Sequence, residues 1–482
     1  MAVFLAALDI TIVGTALPTI VWHFHSMAGY VWVPSAFLLG NGSSVPTWGK
    51  LSDIWGRKPL LLLAVAVFFL GSALERGMYY GIIGMVWATA AALGPAVGGA
   101  LTDKASWRWC FYMNLPISGS AFIIILLTLN LQTTKTQILA GLKAVDWMGS
   151  LTIIGATIMF LMGLQFGGTF HPWSSPTVLC LMIFGMATGV IFVIVESRAR
   201  YPIIPLHIFS KSSNLAILFV NFSHSTYFLQ GAYFLPVYFQ SVLAASPLLS
   251  GVWLLPWALS VSLSSAATGI YIKKTGRCFD CILFGLLLSV LGYGLLYNLP
   301  DRRLWPKVII YQIISGIGTG PIFQSPMIAL QSSVAAQDNA TVTATYAFVR
   351  NLASAIGIVI GSTVLSNKMT SHQSALVASL GPDAAARFSG NEAQAGILLI
   401  DSLHTEQQAV VRYAYYDSLQ SVWIEIVCLA AAGLVAAAFV ERTRRLSNTH
   451  EEVRTGLEAE EERRRIARGS KEQEAERGAD TA

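Results

Sequence analysis

Long apolar stretches recur along the whole chain, and each is about as long as a bilayer core is thick. A helix needs roughly 20 apolar residues to cross that core. Because lipid cannot hydrogen-bond to an exposed backbone, such stretches are predicted to be transmembrane helices. The chain is therefore predicted to be an all-α, polytopic membrane protein. The stretches lie near residues 2–22, 29–48, 77–101, 111–131, 148–167, 176–195, 213–239, 249–272, 280–298, 306–330, 340–366 and 418–440.

The composition of the chain agrees with this fold class. Hydrophobic residues make up 54% of the 482 residues and charged residues only 12%, whereas soluble domains carry about 25% charged residues. The net charge of +5 comes from loops and the C-terminal tail rather than from one face, so no nucleic-acid partner is predicted. The expected surrounding is a lipid bilayer.

The sequence offers little of the chemistry that enzymes use. Cys278 and Cys281 form a lone C-x-x-C at a predicted helix start, with no second pair to complete a zinc site. We recognise no phosphate-binding loop, nucleotide-binding fold or metal-ligand spacing. We therefore expect no catalytic residues, no metal, no cofactor and no enzymatic activity.

Lysine and arginine residues cluster in alternate loops, which predicts the orientation because cationic loops stay in the cytosol. Arg302, Arg303 and Lys307 are exceptions in a loop predicted to lie outside. The polar segment 368–417 is predicted to be a long, partly ordered extracytosolic loop, and 441–482 a charged cytosolic tail. The cytosolic clusters lie at positions 50, 57 and 58, at 135 and 143, at 198, 200 and 211, at 273, 274 and 277, and at 442, 444 and 445.

The first of these cytosolic loops carries a specific motif. Its glycines let the backbone bend and helices approach closely, and its aspartate can pair with the neighbouring arginine. The pattern G-x-L-x-D-x-x-G-R-K resembles the loop between helices 2 and 3 of major facilitator superfamily transporters, which implies a role in conformational change. The residues that carry it are Gly49, Asp53, Gly56, Arg57 and Lys58.

Further motifs resemble the fourteen-helix drug:proton antiporter branch of that superfamily, which includes fungal multidrug and toxin efflux pumps. Residues 8–18 resemble its first-helix motif, residues 107–116 its sixth-helix motif, and Gly94, Pro95, Gly98 and Gly99 the G-P-x-x-G-G motif linked to antiporters. The resemblance covers roughly residues 1–440. It implies a monomer with an N-terminal half at 1–131, a central helix pair at 132–200, a C-terminal half at 201–440 and a tail at 441–482.

One departure from this family lies near Leu74. The apolar run 60–74 leads directly into Glu75 and Arg76, so the end of helix 3 and all of helix 4 are missing. Fifteen helical residues span about 22 Å against a core of about 30 Å, which predicts that this run does not form a full span. The chain is therefore expected to hold about 12 to 13 transmembrane helices. A skipped exon, a mis-called gene model and a true deletion would each give this junction.

Proton-driven transport needs titratable or charged groups inside the membrane. Asp9 lies midway along the first apolar stretch and can either exchange protons or serve as a structural hydrogen-bonding group. Arg350 lies within 340–366 and is too costly to face lipid; it is expected to line the interior or to pair with Asp338, in a gating or a structural role. Glu425 is either a further titratable group within the last stretch or simply a residue near its outer end.

Polar and aromatic residues on inward faces are candidates for a substrate cavity, since aromatic rings offer tolerant contact surfaces. The alternative for each is a membrane-interface tyrosine or an ordinary interhelical hydrogen bond. The candidates are His224, Tyr227, Gln230, Tyr233, Gln312 and Gln324.

Together these features predict a secondary transporter that exports small organic toxins or drugs in exchange for protons by alternating access. It would lie in the plasma membrane, with the vacuolar membrane as the alternative. An iron-chelate (siderophore) transporter of the same fold and a non-transporting remnant, left by the loss of helix 4, remain as alternative functions.

Overall fold

The computed structural model of the chain describes residues 146–167, 171–199, 202–204, 206–334 and 338–442, together with Leu51. The long elements in these ranges are α-helices, which confirms the predicted fold class. They are α1 (Trp147–Phe166), α2 (Pro176–Arg198), α3 (Ser212–Ser241), α4 (Pro247–Trp253), α5 (Leu255–Thr275), α6 (Cys278–Leu296), α7 (Trp305–Ile322), α8 (Ser325–Ser332), α9 (Asn339–Ser371), α10 (Gln373–Leu380), α11 (Pro382–Ala386), α12 (Ala393–Gly396) and α13 (Thr405–Ala437).

Every span predicted after residue 146 corresponds to helix. Within the described part, seven helical segments are long and apolar enough to cross a membrane. α3 falls outside this set although it is 30 residues long, because it carries many polar side chains.

Two predicted spans are interrupted. The segment 249–272 breaks at Leu254, and 306–330 breaks at Phe323 and Gln324; a proline follows each break within the first turn of the next helix, where it cannot donate to the previous turn.

The segment 368–417 was predicted to be a long polar loop, and this prediction is wrong. α9 continues to Ser371 and α13 already begins at Thr405, with short helices between them. Leu376, Phe388 and Ile400 from this region are buried in the core of the helix bundle. These apolar residues lie far apart in the sequence. The average composition of the segment is therefore polar although each of them packs in the core.

The α1–α2 hairpin stands at the edge of the described part. Asp146 caps α1 by accepting a hydrogen bond from the Gly149 backbone nitrogen at 2.8 Å. α2 leaves many large apolar side chains exposed, such as Ile183, Phe184 and Val190, as expected of a helix that faces lipid. The hairpin meets α9 in a small apolar cluster that includes Ile153, Phe192 and Phe348.

The remaining helices form one bundle. α3 lies at its centre, between α9 and α13, and α6 packs against both α7 and α13. Large aromatic side chains fill the interior, among them Tyr227, Phe234, Trp257, Tyr293 and Trp423, each almost fully buried. The bundle lies within residues 201–440, and the assignment of that range as a C-terminal half stays a prediction.

Arg303, one of the cations that breaks the charge pattern, has a structural reason to lie in its loop. Its guanidinium donates to the Leu243 carbonyl oxygen at 2.8 Å and to that of Ala244 at 3.2 Å. The same group lies 5.4 Å from the ring centre of Trp253. The charge therefore holds the turn after α3 against the loop after α6.

Candidate transport site

Polar residues on α3 form the centre of the site. His224, Tyr227 and Gln230 follow one another at three-residue intervals, which places them on neighbouring positions of one helix face, and all three are buried. Tyr233, the fourth candidate on this helix, is only partly buried, and its ring packs edge-on against Phe234.

His224 lies in a cage of aromatic rings. Its ring is 5.3 Å from that of Tyr227, 5.8 Å from that of Phe228 and 5.8 Å from that of Phe323. The Nε2 atom lies 3.2 Å from the Thr319 carbonyl oxygen, whereas the buried Nδ1 atom has no hydrogen-bond partner in the described part. One polar atom of this ring is therefore available to a ligand.

Tyr227, Gln312 and Gln324 each have a different environment. The Tyr227 hydroxyl donates to the Ser289 hydroxyl at 3.3 Å, which connects α3 to α6. Gln312 folds back to donate to the Val308 carbonyl oxygen of its own helix at 3.0 Å. Gln324 is buried at the break between α7 and α8. The structure thus brings His224 and Tyr227 into direct contact, whereas the Gln312 amide nitrogen bonds within its own helix.

Arg350 projects from α9 toward that same break. Its Nη2 atom donates to the Phe323 carbonyl oxygen at 3.2 Å, and its guanidinium carbon lies 4.2 Å from the Phe323 ring centre and 5.9 Å from that of Tyr346. The alternative pairing with Asp338 is wrong: Asp338 pairs instead with His207 at 3.3 Å. Asp338 lies directly before α9, and it is too far from Arg350 along the helix for the arginine side chain to reach it.

A second polar centre joins α3, α9 and α13. The Gln230 amide nitrogen donates to the Gly357 carbonyl oxygen at 2.6 Å and to Glu425 Oε1 at 3.2 Å. Glu425 Oε2 is buried and, in the described part of the chain, has no hydrogen-bond partner. All three residues lie in the middle third of their helices.

The helix that carries Glu425 is longer than the sequence predicts. Apolar composition indicated a helix start near residue 418, but α13 begins at Thr405, which moves Glu425 toward its middle. The available signal was the uninterrupted helix-forming run before 418, which contains neither glycine nor proline.

The N-terminal candidates lie outside the described residues. They are Asp9, the loop residues Gly49, Asp53, Gly56, Arg57 and Lys58, and the helix residues Gly94, Pro95, Gly98 and Gly99. Within the described residues, no group of three or more His, Cys, Asp or Glu side chains could hold a metal ion.

Comparison with known proteins identifies the family. The model of the Major Facilitator Superfamily matches residues 1–75 and 72–358. The chain is 47% identical to the efflux pump dotC of Dothistroma septosporum (strain NZE10 / CBS 128990), over 95% of this chain and 86% of dotC. It is 43% identical to the MFS-type transporter ppz2 of Metarhizium majus (strain ARSEF 297), over 95% of this chain and 86% of that protein.

One detail of these matches concerns the junction near Leu74. The family match falls into two pieces that meet at residues 72–75. The alignment with dotC extends over 500 positions, more than the 482 residues of this chain. The relative therefore contains residues that have no counterpart here.

Among solved structures, a bacterial homologue of the human lysosomal transporter Spinster, in an inward-facing and occupied conformation, aligns with a TM-score of 0.44 and 14% identity. The alignment covers 93% of this chain and 97% of that one. The family assignment rests on the sequence matches. The chain belongs to the major facilitator superfamily and is a multi-pass membrane transporter rather than an enzyme.

Proposed function

We propose that this chain exports small organic toxins or drugs in exchange for protons by alternating access. Two relatives of known sequence are named as an efflux pump and an MFS-type transporter, which supports export of a small substrate. The observation that carries proton exchange is Glu425, whose Oε2 atom is buried without a hydrogen-bond partner in the described part. A carboxylate in this position can take up a proton without first breaking an ion pair.

The two polar centres suit different tasks. A guanidinium is not deprotonated in proteins, so Arg350 can take part in coupling only by attracting or repelling another charge. Glu425 can carry the proton itself, and Asp9 is a second proposed carrier in the N-terminal half.

We propose gating roles for Gly49, Asp53, Gly56, Arg57 and Lys58, and a helix hinge for Pro95 with its neighbouring glycines.

A non-transporting remnant is the second candidate. It is favoured by the family match in two pieces that meet at residues 72–75, since a missing helix would leave the N-terminal half incomplete. Transcript reads across the Leu74–Glu75 junction test it. Reads with an inserted helix-coding segment support the exporter, and reads that join the two residues directly support the remnant.

Proton exchange is tested in vesicles that contain the purified full-length chain. Ethidium and 6-hydroxy-2-naphthoate, one probe of each charge sign, are loaded inside, and their release is followed with and without an acidic exterior. We expect the gradient to accelerate release of at least one probe. Equal release of both probes with and without the gradient would contradict the proposal.

The same assay tests the proposed carrier. Glu425→Gln keeps the shape of the side chain and its contact with Gln230 but cannot ionise, so release should no longer respond to the gradient. Glu406→Gln is the matched control, because Glu406 lies on the same helix and is exposed. A normal gradient response in Glu425→Gln would exclude this residue and leave Asp9→Asn as the next variant.

We place the transporter in the plasma membrane as a monomer, with the vacuolar membrane as the alternative. Fluorescence microscopy of the tagged chain distinguishes the two membranes.

A further inference from the structure

We propose that Arg350 is the anion-binding group of the transport site, and that the exported compound is a planar aromatic acid bound as its carboxylate or phenolate. This inference rests on the proposed export function and names the class of its substrate. It is carried by the contacts of Arg350 and of the aromatic residues around it.

The first observation is a charge inside a predicted membrane-spanning helix that has no counter-charge among the described residues. Arg350 contacts one carbonyl oxygen and two aromatic rings, and none of the ion pairs in the described part includes it. Leaving a charge uncompensated inside a protein or a bilayer is strongly unfavourable. An anionic substrate would supply the missing charge when it binds.

The second observation is the geometry of the guanidinium. It carries five N–H donors in one plane, and within the described part of the chain a single one is used, toward the Phe323 carbonyl oxygen. The distance of 4.2 Å to the Phe323 ring centre means that the ring covers one face of the group. The remaining donors can bind the two oxygens of a carboxylate side by side.

The third observation is an aromatic wall that continues from the charge. The Phe323 ring is 5.4 Å from that of Phe228, and the Phe228 ring is 5.4 Å from that of Trp257. Such rings favour flat aromatic ligands through offset-stacked and edge-to-face contacts. A charge at one end of a flat apolar wall selects a planar compound with an acidic group at its edge.

The fourth observation is His224, whose ring lies 5.8 Å from that of Phe323. If its Nε2 atom donates to the Thr319 carbonyl oxygen, its buried Nδ1 atom is an acceptor without a donor among the described residues. A hydroxyl group at another position of the aromatic compound would satisfy it. The complementary ligand is therefore a hydroxylated aromatic acid.

Arg350 also has a structural contact, which the choice of variant must preserve. The helix break at Phe323 exposes the carbonyl oxygen that Arg350 satisfies. Arg350→Gln keeps a side-chain N–H donor on the same side of the helix but removes the charge and the paired donors of the guanidinium. Arg303→Gln is the matched control, because Arg303 also lies against an aromatic ring and donates to carbonyl oxygens, but in the outer loop.

Equilibrium dialysis of the purified full-length chain at pH 7, with no proton gradient, measures binding of 6-hydroxy-2-naphthoate and of its neutral amide. We expect the wild-type chain and Arg303→Gln to prefer the acid. Arg350→Gln should weaken binding of the acid by about tenfold or more, since hydrogen bonds to charged groups contribute that much, and should leave the amide unaffected.

An unchanged preference for the acid in Arg350→Gln would overturn the proposal, as would equal binding of acid and amide by the wild-type chain. If Arg350→Gln does not fold, Arg350→Lys retains the charge and should keep the preference; its loss in a folded Arg350→Lys would count against recognition by charge. Because no gradient is used, this result is independent of whether protons drive export.

His224 is tested with a second pair of probes. His224→Phe should fill the aromatic cage, and it should abolish any preference for 6-hydroxy-2-naphthoate over 2-naphthoate while leaving the preference for acid over amide intact. A hydroxyl preference that survives in His224→Phe would exclude His224 as the hydroxyl acceptor.

Discussion

At the scale of single residues, the structure explains how one helix can be both polar and central. α3 uses its polar side chains to bind the backbones of its neighbours: Asn221 donates to the Tyr346 carbonyl oxygen at 2.9 Å and Thr226 to that of Ala353 at 3.2 Å. Such bonds satisfy groups that lipid could not. The polar residues of α3 therefore hold the bundle together and position the candidate site.

Gln230 should contribute more to stability than Gln240, the other glutamine of the same helix. Gln230→Leu would leave the Glu425 carboxylate without its hydrogen bond and the Gly357 carbonyl oxygen without its side-chain donor. We expect a loss of about 1–3 kcal/mol in the free energy of unfolding, measured as a lower melting temperature of the detergent-purified chain.

Gln240→Leu is the control for this prediction. Gln240 is partly buried on the same helix and donates only to the Ser250 hydroxyl at 3.0 Å, so its loss should cost less than about 1 kcal/mol. Equal melting temperatures for the two variants would show that the Gln230 contacts add no special stability.

At the scale of elements, the crossing of α6 and α7 depends on the absence of side chains. A Cβ atom on Gly292 would collide with the backbone of Ser315, and one on Gly318 with the backbone of Ser289. Small residues on both helices let the two backbones approach closely. This crossing fixes α6, and with it Ser289 and Tyr293, against the candidate site.

Replacing Gly292 should therefore separate the two helices. Gly292→Leu inserts a side chain where backbone atoms already lie, which costs about 1–3 kcal/mol or more. We expect a lower melting temperature and loss of the folded fraction in size-exclusion chromatography.

Gly294→Leu provides the comparison within the same helix. A Cβ atom on Gly294 would meet no atom within 4 Å, so this variant should melt at or above the wild-type temperature. If both variants melt like the wild type, the close approach of α6 and α7 is not required for stability.

At the scale of the whole molecule, loop charges and helix lengths define one orientation. α6 has 19 residues and spans about 28 Å, so Lys274 before it and Arg302 after it must lie on opposite sides of the membrane. Both side chains are exposed. The charge pattern predicts that Lys274 lies on the cytosolic side.

Labelling of single cysteines with a membrane-impermeant reagent tests this orientation in a background without the five native cysteines. Lys274→Cys should react only from the cytosolic side and Arg302→Cys only from the outside. Arg76→Cys should react from the cytosolic side, because residues 60–74 are predicted to be too short to span. Reaction of position 76 from the outside, with position 274 still cytosolic, would refute the predicted topology of the N-terminal half.

The sequence by itself determined the fold class, the family and the approximate positions of the long helices. Apolar length is a local property, because a span must match the bilayer wherever it occurs, and the family motifs are short and contiguous. Tertiary structure decided what local composition cannot: Gln230 and Glu425 are 195 positions apart, and the counterpart of Arg350 is a carbonyl oxygen at a helix break rather than Asp338. Polar partners inside a membrane are chosen by packing in three dimensions, and an averaged hydropathy does not record which side of a helix faces inward.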